Sequence, residues 1–121
     1  MPEIQTVFVV DDEPIIGSTL AAILNSSGFR ATAFTDPFDA IKAAERECPS
    51  LLITDVVMPG MNGVDLAIHI QSLCPKCKVL LFSGQAATQE LMDLARKDGH
   101  DFELLSKPIH PKDLLAAIRK K

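Results

Sequence analysis

Apolar residues along this chain fall into two alternating rhythms, short continuous runs and longer stretches where they return every three or four positions. The first run, Thr6-Val7-Phe8-Val9-Val10, reads as a strand buried on both faces, as in a parallel sheet. It ends in Asp11, Asp12 and Glu13, and Pro14 follows where a first helical position tolerates it. Ile16, Leu20, Ile23 and Leu24 fall at helical spacing, and Gly28 marks the helix end. Arg30 to Phe34 alternates weakly and predicts a second strand. Thr35-Asp36-Pro37 then gives an N-cap and an opening Pro for a helix reaching about Glu47.

Leu51 to Thr54 predicts a third buried strand, closed by Asp55. Met58 to Gly63 is turn chemistry, with Pro59 fixing φ and two glycines allowing positive φ. Val64, Leu66, Ile70 and Leu73 mark the apolar stripe of a third helix. Cys77 to Phe82 predicts a fourth strand, followed by Ser83-Gly84. Ala86 to Asp98 reads as a helix with Leu91, Leu94 and Ala95 inward and Gly99 as its stop. Phe102 to Ser106 predicts a fifth strand ending in Lys107-Pro108, and Pro111 opens a last helix that buries Leu114, Leu115 and Ile118. Strands alternating with helices imply an α/β domain whose parallel sheet is covered on both sides. The 121 residues read as a single domain over 1–121, without linker or repeat.

Composition narrows the function classes. The chain is 47% hydrophobic and 23% charged, ordinary for a globular domain, and its net charge of −4 offers no basic field for direct nucleic-acid binding. Six Phe but no Trp or Tyr leave base stacking poorly supplied. No apolar run approaches the roughly 20 residues of a membrane span, and the opening residues lack a basic region followed by an apolar segment and cleavage site, so secretion is not expected. Three Cys, an odd number, do not suggest a disulfide framework, so a reducing cytoplasm is the expected setting.

The polar residues at the predicted strand ends carry the chemistry. In a parallel sheet the ends of strands one, three, four and five share one edge, which gathers Asp11, Asp12, Asp55, Ser83 and Lys107. Three neighbouring carboxylates repel, each raising the others' pKa. A hard divalent cation relieves this, and an oxygen-rich, partly hydrated site suits Mg²⁺. A cation, a lysine and a hydroxyl around one carboxylate are what the three oxygens of a phosphoryl group require. On this reading Asp55 is the nucleophile and forms an acyl phosphate. Eight residues separate Asp55 from Val64, too many for it to serve as that helix's cap.

Four motifs, VVDDEP (Val9 to Pro14), ITDVVMPGMNG (Ile53 to Gly63), LFSG (Leu81 to Gly84) and SKP (Ser106 to Pro108), give the chain a resemblance. It resembles the receiver domain of bacterial two-component response regulators, of the chemotaxis-regulator kind, from near residue 5 to near residue 119. The resemblance implies a flavodoxin-like, doubly wound sheet of five parallel strands in the order 2-1-3-4-5, with five helices. It implies that Asp55 accepts phosphate from the phosphohistidine of a sensor histidine kinase or phosphotransfer protein. It further implies that Asp12, Asp55 and the backbone carbonyl of Val57 bind Mg²⁺, that Asp11 assists through water, and that Ser83 and Lys107 hold the phosphoryl oxygens. Such a domain modifies only itself and switches a surface for a downstream protein, with a phosphorylation-linked homodimer allowed for. No output domain is expected within the chain. Two positions depart from the family: Leu104 stands where an aromatic switch residue is common, and Val57 stands where phosphate lifetime is influenced.

Competing readings are weaker. A phosphatase or phosphotransferase of the haloacid dehalogenase type needs a second Asp two residues after the nucleophile, where this chain has Val57. A phosphorylation-independent interaction module sits poorly with the complete set of acids, hydroxyl and lysine. No GxGxxG follows the first strand to support nucleotide binding. Cys74-Pro75-Lys76-Cys77 follows a helix instead of opening one, and reads as a loop turn with incidental thiols. His69, His100 and His110 lack metal spacing and read as surface residues.

Overall fold

Each short apolar run becomes a strand and each periodic stretch a helix, in strict alternation. The computed structural model describes residues 5–84, 88–100, 102–107 and 109–119. The elements are β1 (Thr6–Val10), α1 (Pro14–Ser26), β2 (Arg30–Phe34), α2 (Pro37–Arg46), β3 (Leu51–Asp55), α3 (Gly63–Leu73), β4 (Lys78–Ser83), α4 (Thr88–Lys97), β5 (Glu103–Ser106) and α5 (Pro111–Arg119). All four pairings are parallel and the order is β2-β1-β3-β4-β5, as the resemblance implied. The expected start of the fourth helix at Ala86, and Pro108 of the SKP motif, lie outside the described residues.

Period-two alternation divides the core between the two faces of the sheet. Val7, Val9, Leu51, Ile53, Leu80 and Phe82 pack against α1 and α5. Phe8, Val10, Leu52, Val79 and Leu81 face α2, α3 and α4. The central strands therefore read as unbroken apolar runs, whereas β2 at the edge has an exposed or half-buried position at every step. Leu104 of β5 is half-buried on the α2–α4 face, opposite Leu81 in register.

Helix ends follow the local chemistry. Pro14 begins α1 after Glu13, and Gly28 beyond its end takes φ +95°. Asp36 caps α2 by accepting from the Phe38 N–H at 2.9 Å. The helical stripes are shifted in places from those expected. In α4 the buried residues are Met92 and Ala95, while Leu94 is 54% exposed, because residues one and four positions after Leu91 face the sheet and the third does not. Leu73, the last residue of α3, also emerges into solvent, and in α5 Ala117 joins Leu114 and Ile118 inside while Leu115 is only half-buried.

The cysteines correct the sequence reading. Cys48 and Cys74 form a disulfide, with Cα atoms 5.6 Å apart, and Cys77 is free and buried. α2 packs against α3, and the carboxyl ends meet where Cys48, just past the Glu47 cap of α2, joins Cys74, the cap of α3. The CxxC segment is the loop turn expected, with the Cys77 N–H donating to the Cys74 carbonyl at 2.9 Å, but Cys74 is no incidental thiol, and the odd cysteine count did not preclude a disulfide.

Candidate functional site

The strand order reverses direction between β1 and β3, and a crevice opens there at the carboxyl edge of the sheet. Asp11 follows β1 directly, its N–H donating to the Phe34 carbonyl at 3.0 Å, so the β1–β2 ladder continues one residue past the strand. Its carboxylate is fully buried and accepts from the Glu13 N–H at 2.9 Å. Asp55 closes β3 and is also buried, while Asp12 is exposed at the rim. Carboxylate oxygens of Asp11, Asp12 and Asp55 lie within 4.8 Å of one another.

Lys107 reaches into this cluster from the loop after β5. Its Nζ donates to Asp55 Oδ2 at 3.1 Å and to Asp11 Oδ2 at 3.3 Å. The ammonium also stands 5.1 Å from the centre of the Phe82 ring. Backbone pairing fixes the root of this arm, since the Lys107 N–H donates to the Ser83 carbonyl at 3.0 Å. Burial holds the Asp11 carboxyl above its ordinary range, and the Asp55 charge adds to this; the Glu13 N–H and Lys107 act in the opposite direction. For Lys107 burial alone would lower the pKa, but the Asp55 and Asp11 carboxylates outweigh it and the net shift is upward.

The loop from Val56 to Asn62 presents Asp55 through a close backbone approach. The Val56 N–H donates to the Phe82 carbonyl at 3.2 Å, and the Gly63 N–H donates to the Val56 carbonyl at 2.7 Å. A Cβ at Gly63 would overlap the Asp55 carbonyl oxygen, so only glycine fits where α3 begins. Gly60 has φ +83°, as expected for this turn, but Gly63 serves close approach and not a positive φ. Asn62, not Asp55, caps α3, accepting from the Asp65 N–H at 2.8 Å.

Of the residues singled out from the sequence, Asp11, Asp12, Asp55 and Lys107 are brought into one cluster. Ser83 is buried one position beyond the end of β3 on the neighbouring strand, and Val57 lies 45% exposed on the loop. His69 and His110 are exposed and His100 is half-buried, stacked on Phe102. Sequence reasoning missed Phe82, whose ring flanks the lysine; its signal was membership of the LFSG motif. It also missed the apolar cavity of about 400 Å³ beside the cluster, bordered by Ile15, Ile16, Ile23, Phe82, Lys107 and Ile109.

The donor set suits a hard cation. Three carboxylates gather here, two of them paired with the Lys107 ammonium, the ligand atoms are all oxygens, and Asp12 is open to solvent.

The model of the response regulator receiver domain matches residues 7–119. The response regulator receiver protein CpdR of Brucella abortus is 32% identical over 114 residues, covering 94% of this chain and 93% of that protein. The probable transcriptional regulatory protein TcrX of Mycobacterium tuberculosis is 31% identical, covering 94% of this chain. The DNA-binding response regulator MtrA of Mycolicibacterium smegmatis is 30% identical, covering 95%. The chain spans only about half the length of TcrX (48%) and MtrA (49%). Among solved structures, a receiver domain from Clostridium thermocellum superposes with a TM-score of 0.85 at 27% identity, covering 97% of this chain and 93% of that one. A CheY-like receiver domain from Methanospirillum hungatei has the same fold, with a TM-score of 0.87 at 24% identity over 98% and 93% of the two chains.

Proposed function

The chain belongs to the response regulator receiver domain family, and from that premise we propose that Asp55 is its phosphoacceptor. The observation that carries this reading is the ammonium of Lys107 held on Oδ2 of Asp55 within a cluster of acids. An oxygen of the Asp55 carboxylate attacks phosphorus in line with the P–N bond of a phosphohistidine. The P–O bond forms, the P–N bond breaks, and its electron pair returns to the imidazole of the donor. Lys107 sits where it can follow the charge from the carboxylate onto the phosphoryl oxygens. Ser83, next to Asp55 across the β3–β4 pair, is assigned to a further phosphoryl oxygen. Asp11, Asp12, Asp55 and the Val57 carbonyl would hold Mg²⁺, which when bound neutralises phosphoryl charge during transfer. The protein turns over no external substrate on this reading.

The donor is a protein, a sensor histidine kinase or phosphotransfer protein, since its histidine must reach a buried carboxylate. Ile15 at the start of α1 is 79% exposed and borders the apolar cavity that also touches Lys107. We assign that cavity to the histidine-bearing segment of the donor. Among the described residues no helix is long and apolar enough to cross a membrane, and a cytoplasmic setting is part of the proposal. The domain as a single receiver unit, with its downstream partner contacted elsewhere on its surface, belongs to the same proposal.

The test is incubation with acetyl phosphate and Mg²⁺, read by intact mass. Wild type should gain one phosphate and Asp55→Asn none. Gain by Asp55→Asn at the wild-type rate would overturn the assignment, and full gain in excess chelator would overturn the role of the cation.

A further inference from the structure

The disulfide lies at the opposite edge of the sheet from Asp55. Cys48 precedes the amino end of β3, and Cys74 caps the carboxyl end of α3. Between them the chain runs through β3, Asp55, the loop and the whole of α3. We propose that Cys48 and Cys74 are a modification site, a reversible thiol–disulfide couple that responds to small-molecule disulfides of the glutathione type and clasps α2 to α3.

Three observations support reversibility. The Cα separation of 5.6 Å lies within the span of ordinary disulfides, so the closed bond is held at an ordinary backbone spacing. Carbonyl acceptors for the reduced thiols are close at hand. Both sulfurs lie 3.9 Å from the Ala44 carbonyl oxygen, and Cys48 Sγ lies 3.9 Å from that of Leu73. On reduction the two sulfurs must part to van der Waals contact, and these carbonyls stand close enough to accept from the thiols once they do. Finally, the two sulfurs differ in access, since Cys48 is exposed while Cys74 is buried. A cavity of about 430 Å³ beside them is bordered by Pro49, Pro75 and Lys76, a cationic neighbour suited to the carboxylates of glutathione.

The exchange follows from that asymmetry. The Cys48 thiolate attacks one sulfur of oxidised glutathione, forming a mixed disulfide and releasing one glutathione thiolate. Cys74 then gives up its proton to solvent and attacks the Cys48 sulfur, releasing the second. Two protein S–H bonds are replaced by one S–S bond, and one small-molecule disulfide becomes two thiols. Cys77 stays out of the exchange. It is buried, its Sγ lies 3.3 Å from the Lys78 carbonyl oxygen, and burial pushes its thiol up to about 11.

The experiment takes the full chain, reduced with dithiothreitol, and equilibrates it with oxidised glutathione. Intact mass should fall by two hydrogens, and peptide mapping without reductant should join Cys48 to Cys74. Closing a loop of this length should raise the Tm by about 10 °C over the reduced protein, and dithiothreitol should reverse it. Cys48→Ser should form no internal crosslink and have a Tm indifferent to oxidant. Cys74→Ser should stall with glutathione on Cys48. A Cys74–Cys77 link, no internal crosslink in excess oxidised glutathione, or equal Tm values for the two redox states would each overturn the proposal. Comparing oxidised with reduced wild type keeps the test independent of any variant's folding.

Discussion

Lys107 and Asp55 are 52 positions apart in sequence, yet Nζ of one stands 3.1 Å from Oδ2 of the other. Asp11 shares the same ammonium at 3.3 Å, so a single cation balances two buried carboxylates. The parallel pairing of β4 with β5 makes this possible by bringing Lys107 to the level of Ser83.

Replacing Lys107 by Met should keep the arm's bulk beside Phe82 and remove both charged hydrogen bonds. Without metal the variant should lose about 1–3 kcal/mol of stability, the usual loss when a hydrogen bond to a charged group is removed. Added Mg²⁺ should narrow that gap, because a cation again faces the carboxylates. Urea unfolding with and without Mg²⁺ measures both, and phosphoryl gain from acetyl phosphate should slow at least about tenfold, or 1.4 kcal/mol of barrier.

Gly63 offers a test of the loop. A methyl group there meets the Asp55 backbone, whereas one at Gly28 meets nothing within 4 Å and suffers only from φ +95°. Gly63→Ala should cost about 1–3 kcal/mol through overpacking, and it should also slow phosphorylation by displacing Asp55. Gly28→Ala should cost about 1 kcal/mol and leave phosphorylation unchanged. Urea unfolding together with the rate of mass gain separates the two.

The contrast between these glycines shows which features could be read from the sequence. Element order, the parallel sheet and the gathering of acids and Lys107 at one edge all follow from local periodicity combined with a topological rule. Such signals need no knowledge of which side chains touch. Gly63 was visible as a turn residue, but its close approach to Asp55 depends on how the loop folds back. The Cys48–Cys74 bond was hidden for the same reason: Cys48 lies just past the end of α2 and Cys74 caps α3, and only the packing of α2 on α3 makes them neighbours. Leu94 was misplaced because a heptad-like reading permits either side of Leu91, and the sheet decides between them.

Asp11 should set a pH dependence. Its folded pKa is raised above 3.8, chiefly by burial, so the folded state holds this proton more tightly than the unfolded state does. Stability from this group is therefore complete below that value and falls as pH rises through the folded pKa. Asp11→Asn keeps an acceptor for the Glu13 N–H without the buried charge. In chelator it should match the wild-type Tm in strong acid and exceed it at neutral pH. Saturating Mg²⁺ should erase or reverse the advantage, since the carboxylate then faces a cation. Thermal melts over a pH series, with and without Mg²⁺, test each part.

Ile15 separates docking from chemistry. Its side chain is exposed at the mouth of the cavity beside Lys107, and being purely apolar it has no group that could bond to phosphorus or its oxygens. A protein donor that seats its histidine-bearing segment there would bury much of this side chain. Full burial of an Ile is worth roughly 1.5–3 kcal/mol, so truncation to Ala should remove about 1–2 kcal/mol of that contact. Transfer from a phosphorylated histidine kinase should then lose about five- to thirty-fold in kcat/KM, at about 1.4 kcal/mol per factor of ten. Acetyl phosphate is too small to use the cavity wall, and its reaction with Ile15→Ala should match wild type. Equal loss with both donors would place Ile15 in the chemistry of the site, and no loss with the kinase would move the donor's footprint away from α1.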